Sequence, residues 1–119
     1  MVSCRTDEVA LDDTEVDRLF RALADATRRD ILRRTLAGES TLSELADRYD
    51  MSFAAVRKHV NVLEEAGLIS DHRIGRERRI RGDVDAIRRA QHLLDGFEDI
   101  WRGRIDRLDA LLADEQHHE

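Results

Sequence analysis

Hydrophobic and polar positions alternate with a helical period over the first part of the chain. A first helix is predicted from Asp13, because the apolar positions after it follow the i, i+3, i+4, i+7 spacing. These positions are Val16, Leu19, Phe20 and Leu23. Asp25 is the expected N-cap of a second helix, and Gly38 is expected to close that helix in a left-handed conformation. Residues 1–12 precede the pattern and are predicted to form a flexible arm.

The next segment, residues 41–67, has the pattern of a helix-turn-helix. Thr41 and Glu44 match a capping box at the start of a short helix, in which each side chain bonds the other residue's backbone N–H. After a tight break at residues 50–51, Ser52 caps a longer helix, which Gly67 ends. The buried stripe of the longer helix is predicted to be Val56, Val60 and Leu63. This arrangement of short helix, turn and longer helix is typical of DNA-binding motifs.

A hairpin and a long helix are predicted after this motif. Two short strand-forming runs surround Gly75, so residues 68–81 are predicted to form a β-hairpin, or wing. From Asp83 the helical period returns for about seven turns, which predicts a C-terminal helix over residues 84–114. Its apolar stripe consists of Ile87, Ala90, Leu94, Phe97, Trp101, Ile105, Leu108 and Leu112. The predicted fold class is mostly α, a winged helix-turn-helix of order α-α-α-α-β-β-α in one domain over residues 13–115.

Charge is distributed unevenly along this pattern. The chain has 119 residues, of which 39% are charged, compared with about 25% in typical soluble domains. The net charge of −6 argues by itself against a nucleic-acid partner. Residues 52–82, however, carry a net charge of +3, and the remainder of the chain carries −9. Because salt screens charges beyond about 10 Å, the local basic region matters more to DNA than the total charge does.

Several classes of protein are not indicated by the sequence. No apolar run approaches the roughly 18 residues that a membrane helix needs, and the first residues do not have the pattern of a signal peptide. Cys4 is the single cysteine, which leaves no intrachain disulfide, so a cytoplasmic protein without membrane contact is expected. Nucleophile elbows, phosphate loops and H-E-x-x-H motifs are absent from the sequence. We therefore predict no enzyme, no catalytic residues and no cofactor.

The order of three segments resembles the ArsR/SmtB family of bacterial winged-helix repressors. The segments are residues 19–32 (LFRALADATRRDIL), 43–46 (SELA) and 51–69 (MSFAAVRKHVNVLEEAGLI), and the resemblance extends over residues 14–112. It implies a domain that forms dimers through its first and last helices and represses transcription until a signal releases the DNA. Family members often have proline at Ala26 and Ala54, and a polar residue at Phe53. Metal-sensing members have cysteines at Thr41 and Ser43, so no metal site is predicted there.

The second helix of the motif is expected to place its N-terminal turns in the major groove, where base edges can be distinguished. The predicted DNA-binding residues are Ser52, Phe53, Ala54, Arg57, Lys58 and Asn61 of this helix, with Arg76 and Arg78 of the wing. Arg57 and Lys58 can donate to guanine or phosphate. Phe53 either contacts a thymine methyl group, as Ala54 also can, or packs under the neighbouring helix. His59 lies beside the buried stripe and is interpreted as structural.

The stripe of the last helix is predicted to pack against a second copy of the chain and the first helix. The predicted dimer residues are Leu19, Leu94, Phe97, Trp101, Ile105 and Leu108. The alternatives are an intrachain core and a pocket for an organic effector. A two-fold dimer would hold two recognition helices roughly 34 Å apart, which predicts a palindromic operator.

The leading hypothesis is therefore a homodimeric repressor that binds double-stranded DNA. A second hypothesis, motivated by the net charge of −6, is a winged-helix module that binds proteins and not DNA. A third is a metal-responsive repressor with an atypical site, for which Cys4, His117, His118 and Glu119 are the candidate ligands. The sequence indicates no particular effector.

Overall fold

The computed structural model describes residues 12–117 of the chain. The helices are α1 (Asp13–Leu23), α2 (Ala26–Ala37), α3 (Leu42–Asp47), α4 (Phe53–Glu65) and α5 (Val84–His117), and the strands are β1 (Ser40–Thr41), β2 (Ile69–Ile74) and β3 (Glu77–Gly82). The predicted order of four helices, two wing strands and a long last helix is confirmed. The strand β1 was not predicted, because two residues are too few to show an alternating pattern. Most of the predicted arm, together with Cys4, His118 and Glu119, lies outside the described residues.

Local capping rules set the starts of the first four helices. Asp12, Asp25, Thr41 and Ser52 each have an extended backbone, and each side chain accepts a hydrogen bond from the backbone N–H three residues later. The predicted capping box of Thr41 and Glu44 is confirmed. Gly67, with φ of 77°, ends α4 as predicted. The prediction for Gly38 is wrong: its φ of −178° is extended, because the chain runs on into β1, which pairs with β3.

The core lies between the first four helices, the wing and the first turns of α5. It is made of Leu19, Ala22, Ile31, Leu32, Leu42, Leu45, Val56, Val60, Leu63, Leu68, Ile69, Ile80, Ala86 and Ala90. The stripe predicted for α4, Val56, Val60 and Leu63, is buried. Leu19 is only 1% exposed, so its side chain has no surface left for a partner subunit. This corrects its assignment to the dimer interface, since α1 turns that face towards the core of its own chain.

The three strands form an antiparallel sheet in the order β1-β3-β2. Ile74 pairs with Glu77, so the hairpin between β2 and β3 is closed by the two residues Gly75 and Arg76. Gly75 has a φ of 64°, as the first position of a two-residue II′ hairpin turn requires. Ile80 is buried on the inner face of β3, and its register partner is Asp71 on β2. The wing is therefore attached to the core at its base and carries Arg76 at its tip.

Helix α5 leaves the core after its first turns. Ala86 and Ala90 are buried, whereas every residue from 94 to 115 except Gly103 is exposed. At 1.5 Å per residue, the 34 residues of α5 span about 51 Å, which is about two thirds of the long dimension of the molecule, 77 Å. The intrachain core, one alternative for the stripe, thus holds for Ile87 and Ala90 and not for the residues beyond them. No helix within residues 12–117 is long and apolar enough to cross a membrane.

A polar contact ties the helix-turn-helix to α2. The Tyr49 hydroxyl donates to Asp30 Oδ2 over 2.6 Å, and Arg34 Nε donates to the same oxygen over 2.9 Å. The hydrogen bonds from Tyr49 and Arg34 lower the pKa of Asp30, so this carboxylate stays ionised. Burial and the neighbouring Asp30 raise the pKa of Tyr49 to about 12, so the phenol stays neutral and donates.

Tyr49→Phe is expected to lower the free energy of unfolding by about 1 kcal/mol at pH 7, because a bond to a partly exposed charged group is lost while the ring still packs. The pKa of Asp30 is depressed in the folded state. The contribution is therefore complete above the ordinary carboxyl pKa and is lost as the pH falls through the folded value. Urea unfolding of both proteins at pH 7 and at about pH 3 checks this. A difference that does not shrink in acid would contradict it.

Candidate nucleic-acid interface

The N-terminal half of α4 presents the predicted DNA-binding side chains to solvent. Ser52, Phe53, Ala54, Arg57, Lys58 and Asn61 are all exposed. The opposite side of α4 is fixed, because Val56, Val60 and Leu63 are between 0 and 2% exposed. Ser52 Oγ accepts from the backbone N–H of Ala55 over 3.1 Å and holds the first turn in place. The exposed side is therefore presented by a rigid element.

Helical spacing places Ala54, Lys58 and Asn61 in one line along the exposed face, at positions i, i+4 and i+7. The small side chain of Ala54 lets the first turn of α4 approach another surface closely. At the other end of the helix, Glu64 and Glu65 are exposed acids, which a phosphate backbone repels. The part of α4 suited to DNA is therefore residues 53–61. Phe53 is 49% exposed, so about half of the surface of this residue is covered by the chain.

Three of the five wing arginines form ion pairs with carboxylates of the same chain. Arg78 pairs with Asp71, whose side chain is only 6% exposed. Arg81 bonds to Glu39, and Arg79 lies 3.8 Å from Glu39 and 3.2 Å from Glu77. The hydrogen bond from Arg81 lowers the pKa of Glu39, which keeps this carboxylate ionised. The positive charge of these three arginines is therefore largely neutralised within the protein.

These contacts make Arg78 a weaker candidate for DNA binding, and its role there stays a prediction. Strand residues alternate between faces, so Arg78 and its register partner Arg73 both lie on the face of Ile80, and of these two arginines only Arg78 forms an ion pair among the described residues. Its guanidinium bonds Asp71 on the same face, so it is less available to DNA than an arginine without a carboxylate partner. The sequence could not show this, because the contact depends on the pairing register of β2 and β3.

Two wing arginines form no ion pair within the described chain. Arg76 lies in the hairpin turn and Arg73 lies near the tip of β2, and both are exposed. Arg57 and Lys58 likewise have no carboxylate partner among residues 12–115. We refer to Arg57, Lys58, Arg73 and Arg76 as the basic surface. Arg73 was not among the predicted DNA-binding residues. It differs from Arg78, Arg79 and Arg81 in that those three arginines form ion pairs.

A second exposed surface runs along α5. We define the α5 stripe as Leu94, Phe97, Ile100, Trp101, Ile105, Leu108, Leu111 and Leu112, which are between 38 and 71% exposed. Ile100 and Leu111 were not predicted. The pattern repeats after 11 residues, as Trp101 and Leu112 illustrate, and this period keeps the stripe on one side of a nearly straight helix. A stripe of this size is typical of a surface that another chain covers.

Histidine, cysteine and carboxylate side chains form no group of three that could hold a metal ion, as far as the structure describes the chain. The atypical metal site considered at the termini lies almost wholly outside residues 12–117, and the structure does not describe the side chain of His117.

Known proteins share this arrangement. Residues 23–72 match a family described as a helix-turn-helix domain. The chain is 37% identical over 60 residues to the transcriptional repressor SdpR of Bacillus subtilis, covering 50% of this chain and 67% of SdpR. It is 37% identical over 81 residues to the HTH-type transcriptional regulator Rv2034 of Mycobacterium tuberculosis, covering 68% and 76%. A crystal structure of an ArsR family transcriptional regulator is similar with a TM-score of 0.73 and 33% identity, covering 78% and 96%.

Proposed function

Because the chain belongs to the ArsR family of winged helix-turn-helix transcriptional regulators, which bind DNA and are not enzymes, we propose that it is a dimeric repressor of a palindromic operator. One observation carries the proposal. Arg57 and Lys58 are exposed and without a carboxylate partner in the described chain, on a helix whose opposite face is buried. The similarity to a repressor supports repression rather than activation. Family membership supports DNA as the partner rather than a module that binds only proteins.

The exposed residues of α4, its cap and the tip of the wing have separate roles in this proposal. Lys58 and Asn61 reach base edges near Ala54, where α4 comes closest to the groove. Arg57 donates to guanine, for which its planar guanidinium is suited, and Asn61 can pair with adenine. Ser52 caps the helix and lies where a phosphate passes. Arg76 extends from the wing tip to the backbone or to a narrow minor groove.

The α5 stripe supplies the proposed dimer contact. Eight large apolar side chains along about 27 Å of helix are 38–71% exposed in a single chain. Covering the remaining surface of each is worth part of the about 1.5–3 kcal/mol that full burial brings. A second copy of the chain carries the same stripe, so a two-fold contact covers both at once. The two α4 helices would then lie roughly 34 Å apart, which suits half-sites separated by one turn of DNA.

Arg57→Ala is expected to weaken operator binding by about 1–3 kcal/mol, or roughly 5- to 150-fold, because a base contact is lost. Fluorescence anisotropy with a duplex from the DNA upstream of the gene measures this at several salt concentrations. The matched control is Arg79→Ala, since Glu39 and Glu77 already hold that guanidinium, and its affinity should stay within about twofold of the unmodified protein.

Two results would count against the proposal. Equal losses in the two variants would remove Arg57 from base recognition. Binding that shows no preference for the operator, or that does not weaken as salt rises, would contradict a DNA-binding repressor, because phosphate contacts release counterions.

A further inference from the structure

Arg28, in the first turn of α2, bonds the end of α1. Its Nε donates to the carbonyl oxygen of Ala22 and its Nη2 to that of Arg21, both over 2.9 Å. These carbonyls belong to the last turn of α1, where few later N–H groups are available. That of Arg21 also accepts from the backbone N–H of Ala24 over 3.2 Å. Arg28 therefore caps α1 from outside the helix and holds its guanidinium in a fixed position.

The third nitrogen of the same guanidinium contacts the recognition helix. Arg28 Nη1 lies 3.2 Å from Nδ1 of His59, a half-buried residue that directly follows Lys58 on α4. A guanidinium can only donate hydrogen bonds, so Nδ1 must accept, and an accepting Nδ1 requires the neutral imidazole with its proton on Nε2. The contact between α1 and α4 through Arg28 thus exists only while His59 is neutral.

We propose that Arg28 is a positioning residue, which fixes the orientation of α4 relative to α1 through neutral His59, and that protonation of His59 weakens discrimination between the operator and other DNA. The inference rests on the proposed function and adds a form of regulation to it. Histidine suits this role because it changes charge between about pH 5 and pH 8.

The groups around His59 determine how its ring responds to protonation. The charged groups that face its ring in the described chain are Arg28 and Asp25, and Asp25 Oδ2 lies 3.9 Å from Nδ1. On α4 itself, the residues three and four positions away are Ala55, Val56, Val62 and Leu63, none of which ionises. Protonation removes the acceptor for Arg28, places like charges together and attracts the ring to Asp25. The loss of the acceptor and the approach of like charges both weaken the contact between the ring and Arg28.

The effect of protonation on operator preference has to be measured separately from the general attraction of a more positive protein to DNA. A protonated His59 adds positive charge to α4, which by itself strengthens binding to any DNA sequence. The quantity to measure is therefore the ratio of affinities for the operator and for a scrambled duplex of equal length. This ratio is expected to fall about tenfold between pH 7.5 and pH 5.5, corresponding to the loss of one hydrogen bond to a charged group.

His59→Gln provides the decisive variant, because an amide oxygen can accept from Arg28 at either pH. The ratio for this variant should be the same at pH 5.5 and pH 7.5. His72→Gln is the matched control: His72 is exposed on the wing, and this variant should retain the fall of the unmodified protein. Thermal unfolding of each protein at both pH values verifies that they remain folded.

The outcomes are distinct. An operator preference that is equal at both pH values in the unmodified protein would overturn this inference and leave the proposed function standing. A fall that persists in His59→Gln, or that disappears in His72→Gln, would also overturn it. Absence of any operator preference at pH 7.5 would overturn the proposed function, and the inference with it.

Discussion

Trp101→Glu is expected to raise the dimer dissociation constant by about 10³-fold, and operator affinity should fall with it. Trp101 lies in the middle of the α5 stripe and is 56% exposed in the single chain. Truncation of a central interface tryptophan costs about 2 kcal/mol or more, and two-fold symmetry makes the substitution act twice. Sedimentation equilibrium measures the dimer, and anisotropy with the operator duplex measures the binding.

His92→Glu is the matched control for this prediction. His92 lies nine residues before Trp101, which is two and a half helical turns, so it occupies the opposite side of α5. The control introduces the same residue into the same helix and should leave both measurements within about twofold, as exposed polar positions allow. Trp101→Glu that remains a dimer, or a control that dissociates equally, would show that the α5 stripe does not hold the subunits together.

Ala54→Glu is expected to weaken operator binding by several kcal/mol, or about 10²–10³-fold, because it places a negative charge where α4 comes closest to the phosphates. Ala54 is exposed and has no polar contact, so the folded state loses little. Because Ala54 lies in line with Lys58 and Asn61 on the exposed face of α4, a larger side chain at position 54 is a steric obstacle as well. Anisotropy at two salt concentrations measures the loss.

Ala110→Glu is the corresponding control, since Ala110 is an exposed helical alanine nine residues beyond Trp101 and thus opposite the α5 stripe. It makes the same change in charge and size at a site remote from α4. If both alanine variants bind the operator as the unmodified protein does, the exposed face of α4 is not the surface that enters the groove.

Local rules made much of the helix-turn-helix predictable. The capping residues act over three positions, so Thr41 with Glu44 and Ser52 could be identified from spacing alone. The stripe of Val56, Val60 and Leu63 follows from the helical period. The exposed position of Arg57 and Lys58 follows in turn, since they occupy the other side of the same helix.

Contacts between distant residues were not predictable in the same way. Ser40 pairs with Ile80 across 40 positions of sequence, and that pairing gives Gly38 its extended backbone. The bond between Arg78 and Asp71 depends on the register of the hairpin. A helical period shows which side of a helix is apolar but not what covers that side. It therefore could not show that Leu19 is buried in the core of its own chain and that Leu94 is not.

Helix α5 runs unbroken from the buried Ala86 and Ala90 to the exposed Trp101 and beyond. If the subunits meet along the outer part of α5, a rigid helix rather than a hinge joins each DNA-binding domain to the dimer contact. A small change in the angle at which the two α5 helices cross then displaces the domains at their ends by a larger distance. The spacing of half-sites that the protein prefers would therefore be encoded in side chains that never approach the DNA.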